Sequence, residues 1–400
     1  MLQKVLVIDE ELPWPANTGK RLRTLNLLTA LSQSFRIEML VHENGATPEA
    51  RAAVKKRGIT VHVAPSRIPG RSGPRLPLRV AASLARGLPY SVYSHHQTGY
   101  AQTLARLLET NRYDLLHCEW TPYAIYALDR RLATCIAAHN VEWEIWSRTA
   151  ETERRRLHRW LFTAQTSLMR RFEQNVFSRF EHATAVSAAD ASRIGEMGCR
   201  HVTVVPNGVD ASLYLPPATE SAPPRSLVFS GSMDWRANQD AIRWFIDQVH
   251  PLLVAQGDYQ FHVVGRSPPA WLQDSSRVPS QIIVTGAVDT VQPFIANASV
   301  YVVPLRVGGG SRLKILEALS MGRAVVSTTV GAEGLDLEPG IDIVIADIAS
   351  DFAAAVSTLW LDAPARQRLG RAGRARIERQ YRWEQIAPLQ VAAWTAAIAG

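Results

Sequence analysis

A chain of 400 residues, 46% hydrophobic and 20% charged, is long enough for two globular domains with full cores rather than one. No window approaches the run of about 18 apolar residues needed to span a bilayer, and the opening MLQKVLVIDEEL reads as a first strand, not a signal peptide. Cys118, Cys135 and Cys199 are odd in number and lack a C-x-x-C, so they indicate neither a disulfide framework nor a zinc site; cytoplasm is the expected compartment.

The net charge of +8 is unevenly spread. Residues 1–200 hold 28 Lys and Arg against 18 Asp and Glu, whereas residues 201–400 hold 16 against 18. The basic excess therefore belongs to the N-terminal half and suggests an anionic partner there, a membrane surface or a phosphorylated acceptor.

Short apolar strands alternate with helical segments along the chain, the pattern of α/β layers with parallel sheets. In the first half, strands are predicted at 5–8, 37–41, 60–63, 115–118, 135–138, 183–186 and 202–205. Helices are predicted at 20–32, 48–56, 99–110 and 188–197, with a longer one over 154–179 in one or two pieces. Residues 64–98, rich in Pro, Gly and Arg, carry no assignable pattern. LPPATESAPPR at 215–225 has the composition of a solvated linker. Alternation then restarts, with strands at 227–230, 261–264, 282–284, 300–303, 324–327 and 343–345 and helices at 239–255 and 288–296. The last 45 or so residues read as three helical pieces separated near 363–364 and 382. This divides the chain into 1–214, a linker 215–225 and 226–382, with a terminal helix at about 383–398.

The most informative stretch is VPLRVGGGSRLKILEAL, from Val303 to Leu319. A buried strand ends at Pro304, glycines follow, Ser311 is placed to cap a helix, and Leu313, Leu316 and Leu319 form one apolar stripe. A strand, a glycine loop and a helix N-terminus make an anion site, because backbone N–H groups and the helix dipole both favour negative charge. Arg312 and Lys314 put two cations in the first turn, where the dipole disfavours them, unless a diphosphate sits there. Glu317 lies at i+3 from Lys314, on the same face, where a carboxylate can accept hydrogen bonds from a ribose diol. The plainer alternative is a glycine turn followed by a surface Lys–Glu pair.

Two common nucleotide motifs are absent. The loop after the first strand, DEELPWPANTGKR, has one glycine instead of G-x-G-x-x-G, and no G-x-x-x-x-G-K-[ST] occurs. That loop ends in Thr18 and Gly19, which either present backbone N–H groups to a phosphate or simply cap a helix.

PNGVD at 206–210, FSGSMDWRANQDA at 229–241, VVG at 263–265 and PLRVGGGSRLKILEALSMGRAVVSTTVGAEGL at 304–335 resemble retaining glycosyltransferases of family 4. In the N-terminal half the similarity rests on the strand plan, the Thr18-Gly19 loop and HNVE at 139–142. The resemblance implies the GT-B architecture: two Rossmann-like parallel-sheet domains facing an interdomain cleft, the C-terminal one holding a nucleotide-diphosphate sugar and the N-terminal one the acceptor. It implies no divalent metal and no cofactor beyond the donor substrate, with cations and a helix N-terminus holding the diphosphate. By the same resemblance Glu317 binds the ribose hydroxyls, and Arg312 and Lys314 approach the phosphates. Asn207 and Gly208 line the site, and Gly231, Arg236, Gly308, Gly309, Gly310, Ser311 and Glu333 border the donor. Many members carry a second Glu eight positions before the ribose-binding one. Here that position is Gly309, so backbone N–H groups of Gly309, Gly310 and Ser311 are expected to face the sugar or phosphate instead. Of the usual Arg and Lys pair after the first C-domain strand, only Arg236 is available, as a phosphate contact or as a solvated loop charge.

No nucleophile stands out. His139 follows a strand and is placed to hydrogen-bond the sugar or reacting groups, or to cap a turn with Asn140. Glu119 and Glu142 are acceptor-side expectations; Trp120, Trp143 and Trp146 can stack on a sugar or pack in the core. RRRLHRWLFTAQTSLMRR at 154–171 mixes basic and apolar residues, as a helix lying on an anionic bilayer does, or as a core-facing helix with a solvated basic face. The expected activity is sugar transfer to a saccharide or lipid-linked acceptor in surface polysaccharide or glycolipid assembly, in the cytoplasm or peripherally at the inner membrane face. The rivals are a nucleotide-sugar epimerase, which would convert donor without acceptor, and a non-catalytic binding protein, which would leave donor intact. No nucleic-acid-binding module is recognisable.

Overall fold

The computed structural model describes residues 2–70, 72–128, 131–153, 155–217, 223–274, 276, 278–307 and 312–400. They form two compact units, residues 2–206 with 383–400, and residues 207–307 with 312–382.

The first unit is built on seven strands: β1 (Lys4–Ile8), β2 (Arg36–Val41), β3 (Thr60–Val63), β4 (Leu115–Cys118), β5 (Thr134–Ala138), β6 (His182–Ala185) and β7 (His201–Val204). All pairs are parallel, in the order β3-β2-β1-β4-β5-β6-β7. Successive side chains on a strand point to opposite faces, and both faces are covered. On β1, Leu6 and Ile8 join one core cluster with Met169 and Phe172 of the helix Arg156–Phe177. Val5 and Val7 join another, with Leu25 and Leu28 of the helix Gly19–Leu31 and with Trp383, Ile386 and Trp394 of the last helix, Trp383–Ala399.

The second unit has β8 (Ser226–Ser230), β9 (Gln260–Val264), β10 (Ile282–Gly286), β11 (Val300–Val303), β12 (Ala324–Ser327) and β13 (Val344–Ile345), parallel in the order β10-β9-β8-β11-β12-β13. Two wound parallel sheets match the α/β expectation. In each, the order reverses beside the first strand: at β1/β4 and at β8/β11. Ligands of such sheets bind outside the carboxyl ends of the strands at that reversal.

Several helices differ from the sequence reading. The helix expected at 239–255 starts earlier, as Arg236–Trp244, passes through a π turn at Phe245–Val249 and resumes as His250–Val254. Pro251 has no N–H to continue the α ladder, and the widened turn accommodates that. The helix expected at 288–296 is only Gln292–Ala296, because Pro293 suits a first turn and not an interior. Residues 64–98, whose sequence carries no assignable pattern, hold helices Leu76–Ala85 and Tyr90–His95. The long helix of 154–179 is a single piece, Arg156–Phe177, preceded by a separate helix Glu142–Thr152. Of the linker stretch, residues 218–222 lie outside the described residues. Among the described residues no helix is long and apolar enough to cross a membrane.

Candidate functional site

In the second unit the candidate side chains gather at the β8/β11 reversal. Tyr301 on β11 locks the two strands there: its hydroxyl is 2.6 Å from Ser230 Oγ and accepts the Ser230 N–H at 3.2 Å. After β11 the chain reaches the helix Leu313–Ser320, with Arg312, not Ser311, in the capping position and no side-chain cap bond. The expected cap Ser311 and the expected donor-binding glycines Gly308, Gly309 and Gly310 lie outside the described residues. Leu313, Ile315, Leu316 and Leu319 are buried, so packing of this stripe fixes where the polar face points.

On that face Lys314 is partly buried, not a surface cation. Its Nζ donates to Asn238 Oδ1 at 3.0 Å and lies 4.1 Å from the centre of the Phe229 ring. Asn238 Nδ2 donates to the Ser232 carbonyl at 2.7 Å, which turns the amide oxygen toward the lysine. Space for this arrangement depends on Gly231: a Cβ there would stand 2.8 Å from both Lys314 Nζ and Asn238 Nδ2. Burial, with help from neighbouring Arg312, lowers the Lys314 pKa to about 7, against a smaller opposing pull from Glu317.

Glu317 accepts a hydrogen bond from the Tyr214 hydroxyl at 2.9 Å. Burial pushes its pKa up to about 7, although Tyr214 and Lys314 both favour the ionised form. Tyr214 is itself pinned: its carbonyl accepts from Ser320 Oγ at 2.9 Å and from Arg374 Nη1 at 3.0 Å. Arg312, 6% exposed, places Nη2 3.3 Å from Glu333 Oε2 and directs Nε at the Glu333 carbonyl at 3.4 Å. The Lys–Glu pair of a plain surface turn is therefore not what forms; each member has its own partner, Asn238 for Lys314 and Tyr214 for Glu317.

Asn207 and Gly208 are buried in this unit, next to Val209, whose N–H bonds the Tyr381 carbonyl at 2.8 Å. Arg236 is exposed at the first residue of its helix.

In the first unit a second polar group lies at the β1/β4 reversal. Thr18 caps the helix Gly19–Leu31 by accepting the Arg21 N–H at 3.3 Å, so Thr18 and Gly19 make a capped helix start. The acids after β1 hold the basic residues of the first turn: Lys20 Nζ lies 2.6 Å from Asp9 Oδ1 and 2.9 Å from Glu10 Oε1, and Arg21 pairs with Glu11. Asp9 is raised to about 7, chiefly by burial. Glu10 is lowered despite its burial, because Lys20 and His95 face it.

Glu119, just after β4, is 4% exposed. It accepts from Thr24 Oγ1 at 2.8 Å and from His117 Nε2 at 3.2 Å. Trp394 Nε1, a pure donor, bonds His117 Nδ1 at 3.1 Å, which requires His117 to be neutral with its proton on Nε2. His139, just after β5, donates from Nε2 to the Glu119 carbonyl at 2.7 Å, leaving Nδ1 with the lone pair. Burial lowers the His139 pKa against the opposing pull of Glu119. Glu119 thus anchors two histidines from inside. Glu142 accepts from Trp120 Nε1 at 2.8 Å and begins the helix Glu142–Thr152. That helix has no cap of its own; the fully buried Glu173 accepts the N–H groups of Glu142 and Trp143, both at 2.9 Å.

The sequence reading did not find Asn238, Phe229 or Tyr214, the partners of Lys314 and Glu317. Asn238 and Phe229 stand inside the motif FSGSMDWRANQDA, and Tyr214 four residues after PNGVD, so the segments were visible but not the pairing. Glu173 and the Asp9–Lys20–Glu10 group carried no motif at all. Among the described residues no three His, Cys, Asp or Glu side chains come together to hold a metal ion.

A family model described as Glycosyltransferase Family 4 matches residues 12–213, and one described as Glycosyl transferases group 1 matches residues 224–362. An uncharacterized 44.6 kDa protein in the cps region of Klebsiella pneumoniae is 23% identical over 130 residues, 30% of this chain; the chain covers 34% of that relative's length. Among solved structures, sucrose-phosphate synthase from Thermosynechococcus elongatus superposes with a TM-score of 0.73 at 15% identity, over 99% of both chains. Anabaena Alr3699/HepE in complex with UDP and glucose gives 0.66 at 16% identity over 98% of this chain and 99% of that one. TarM gives 0.72 at 10% identity over 98% and 99%. At these identities the likeness is one of fold, the two-domain GT-B architecture.

Proposed function

Because this chain belongs to the glycosyltransferase family, with the Family 4 and group 1 models matching residues 12–213 and 224–362, we propose that it moves a sugar, with retention, from a nucleotide-diphosphate sugar to a saccharide or lipid-linked acceptor. The setting is surface polysaccharide or glycolipid assembly, on the cytoplasmic side and peripheral at the membrane. The observation that carries the donor assignment is Lys314, a buried ammonium set between an amide oxygen and a ring face, with its pKa lowered to about 7. A diphosphate beside it supplies the negative charge that burial has left it short of.

Charge grows on the leaving diphosphate as the glycosidic bond breaks, and preorganised cations stabilise it where water is scarce. Lys314 takes that role, with Arg312 beside it, and no divalent metal is required. Glu317 accepts from the ribose hydroxyls, exchanging Tyr214 or sharing it. The second unit is the donor side, with Asn207, Gly208, Gly231, Arg236 and Glu333 around it. The first is the acceptor side, where His139 offers Nδ1 to a sugar hydroxyl and Glu119 holds it in place. The acceptor hydroxyl enters on the face the diphosphate leaves, and the departing phosphate takes its proton. HepE, solved with UDP and glucose and with UDP-glucose, supports a nucleotide-sugar donor for this fold.

Thermal-shift titration with UDP-, GDP- and dTDP-sugars tests the reading, since a ligand at about 100 times its Kd stabilises by about 2.7 kcal/mol. One base series is expected to raise Tm and to support transfer to an added acceptor. No stabilisation by any nucleoside diphosphate would overturn it.

A further inference from the structure

The first two turns of the helix Arg156–Phe177 carry large apolar side chains that the fold does not use. Leu157 is 67% exposed and Trp160 60% exposed, and their i, i+3 spacing puts them on one side. The inner side is already filled: Phe162 packs on Trp146 of the preceding helix with ring centres 6.0 Å apart, and Gln165, Met169 and Phe172 continue that stripe into the core. Arg155, Arg156 and Arg159 are exposed around the two apolar residues. Of the nearby acids, Glu153 braces the start of the helix: its carboxylate accepts the Arg155 N–H at 3.1 Å and lies 4.0 Å from His158, and its carbonyl accepts from Arg159 Nε at 2.9 Å; Glu151 accepts from Ser147 Oγ at 3.1 Å.

We propose that Leu157, Trp160 and the flanking Arg155, Arg156 and Arg159 form a docking face for an anionic lipid bilayer. Tryptophan and leucine enter the boundary between headgroups and acyl chains, while guanidinium groups stay at the phosphate level, the arrangement of an interfacial helix. The excess of 28 basic over 18 acidic residues in 1–200 adds long-range attraction to the same surface. This deepens the lipid-linked acceptor reading and rests on it: a bilayer-docked first unit meets an acceptor whose sugar projects from the membrane.

The test is co-sedimentation of the full chain with vesicles of phosphatidylglycerol and phosphatidylethanolamine, against phosphatidylcholine alone, at about 0.15 M salt. Binding is expected to the anionic vesicles only, and to weaken by about fivefold for each arginine neutralised in Arg156→Gln and Arg159→Gln. Leu157→Ser with Trp160→Ser is expected to weaken it at least about tenfold, whereas Leu361→Ser, at a leucine 77% exposed in the second unit, leaves it unchanged. Because the altered side chains are exposed, nucleotide thermal shifts and transfer to a soluble saccharide stay at wild-type values. No vesicle binding, equal loss in Leu361→Ser, or binding to dextran sulfate without binding to vesicles overturns the docking face. Loss of nucleotide stabilisation in the unaltered chain would strike the donor reading instead, so the two failures are distinct.

Discussion

Lys314 Nζ stands 3.0 Å from Asn238 Oδ1, with the Phe229 ring centre 4.1 Å away, so a partly buried cation is held by neutral groups. Removing water from an ammonium costs free energy that an amide dipole and a ring quadrupole only partly return. An anionic ligand completes the balance.

Lys314→Met keeps the stem and removes the charge. Its expected effect is a fall in turnover of about 10² to 10³ with a Tm of the unliganded chain equal to or above wild type. Steady-state kinetics beside thermal unfolding checks this; a folded variant with wild-type turnover would sink the phosphate role.

The same lysine sets a pH dependence. Its folded pKa of about 7 lies below the ordinary 10.5, so between those values the unliganded chain holds fewer protons there than the unfolded chain does. Folding is thus penalised increasingly as pH falls from 10.5 to about 7 and uniformly below. A bound diphosphate raises the pKa, and binding near pH 8 takes up a proton, up to about one per site. Calorimetry of nucleoside diphosphate in buffers of different ionisation enthalpy measures it, and Lys314→Met is expected to abolish the uptake.

Glu317 discriminates sugars if it accepts from the ribose diol. Wild type is expected to bind a nucleoside diphosphate about ten- to a hundredfold more tightly than its 2′-deoxy analogue, the range of hydrogen bonds to a charged group. Glu317→Ala erases the difference. Equal affinities in the wild type, by direct titration, would remove the ribose contact.

Glu173 is a stability position. Its two oxygens accept the N–H groups of Glu142 and Trp143 at 2.9 Å each, and burial raises its pKa to about 8, helped by Glu142. Glu173→Ala leaves two buried donors unmet and is expected to cost about 2–4 kcal/mol in denaturant unfolding. The raised pKa means that the Glu173 contribution is lost, not gained, as pH rises from 4.5 through about 8. Stability of wild type relative to Glu173→Ala should therefore narrow across that window.

Local pattern alone was enough for the sheets. Strands such as Leu115–Cys118 and Val300–Val303 stand at the residues predicted, because runs buried on both faces of a parallel sheet are largely apolar and bounded by polar turns, and the partly exposed edge strand Thr60–Val63 shows by its β-branched residues. Helix ends shifted where a proline imposed its own register, at Pro251 and Pro293. The stretch 64–98 hid two helices because its Pro, Gly and Arg content masks periodicity.

Candidate site residues can be picked out in the same way. Lys314 and His139 could be singled out because one opens a helix and the other follows a strand end, and Glu317 because it lies at i+3 from Lys314, all local features. What the chain order could not supply was how each is held. Asn238 reaches Lys314 across 76 positions and Tyr214 reaches Glu317 across 103, while Trp394 sets the tautomer of His117 across 277. Burial and protonation depend on such distant partners, since the field at an ionisable group is made by whatever the packed chain brings within a few ångströms. The one-dimensional pattern determined the wound α/β plan and the chemistry on offer; only the folded arrangement decided that Lys314 is held between an amide oxygen and a ring face.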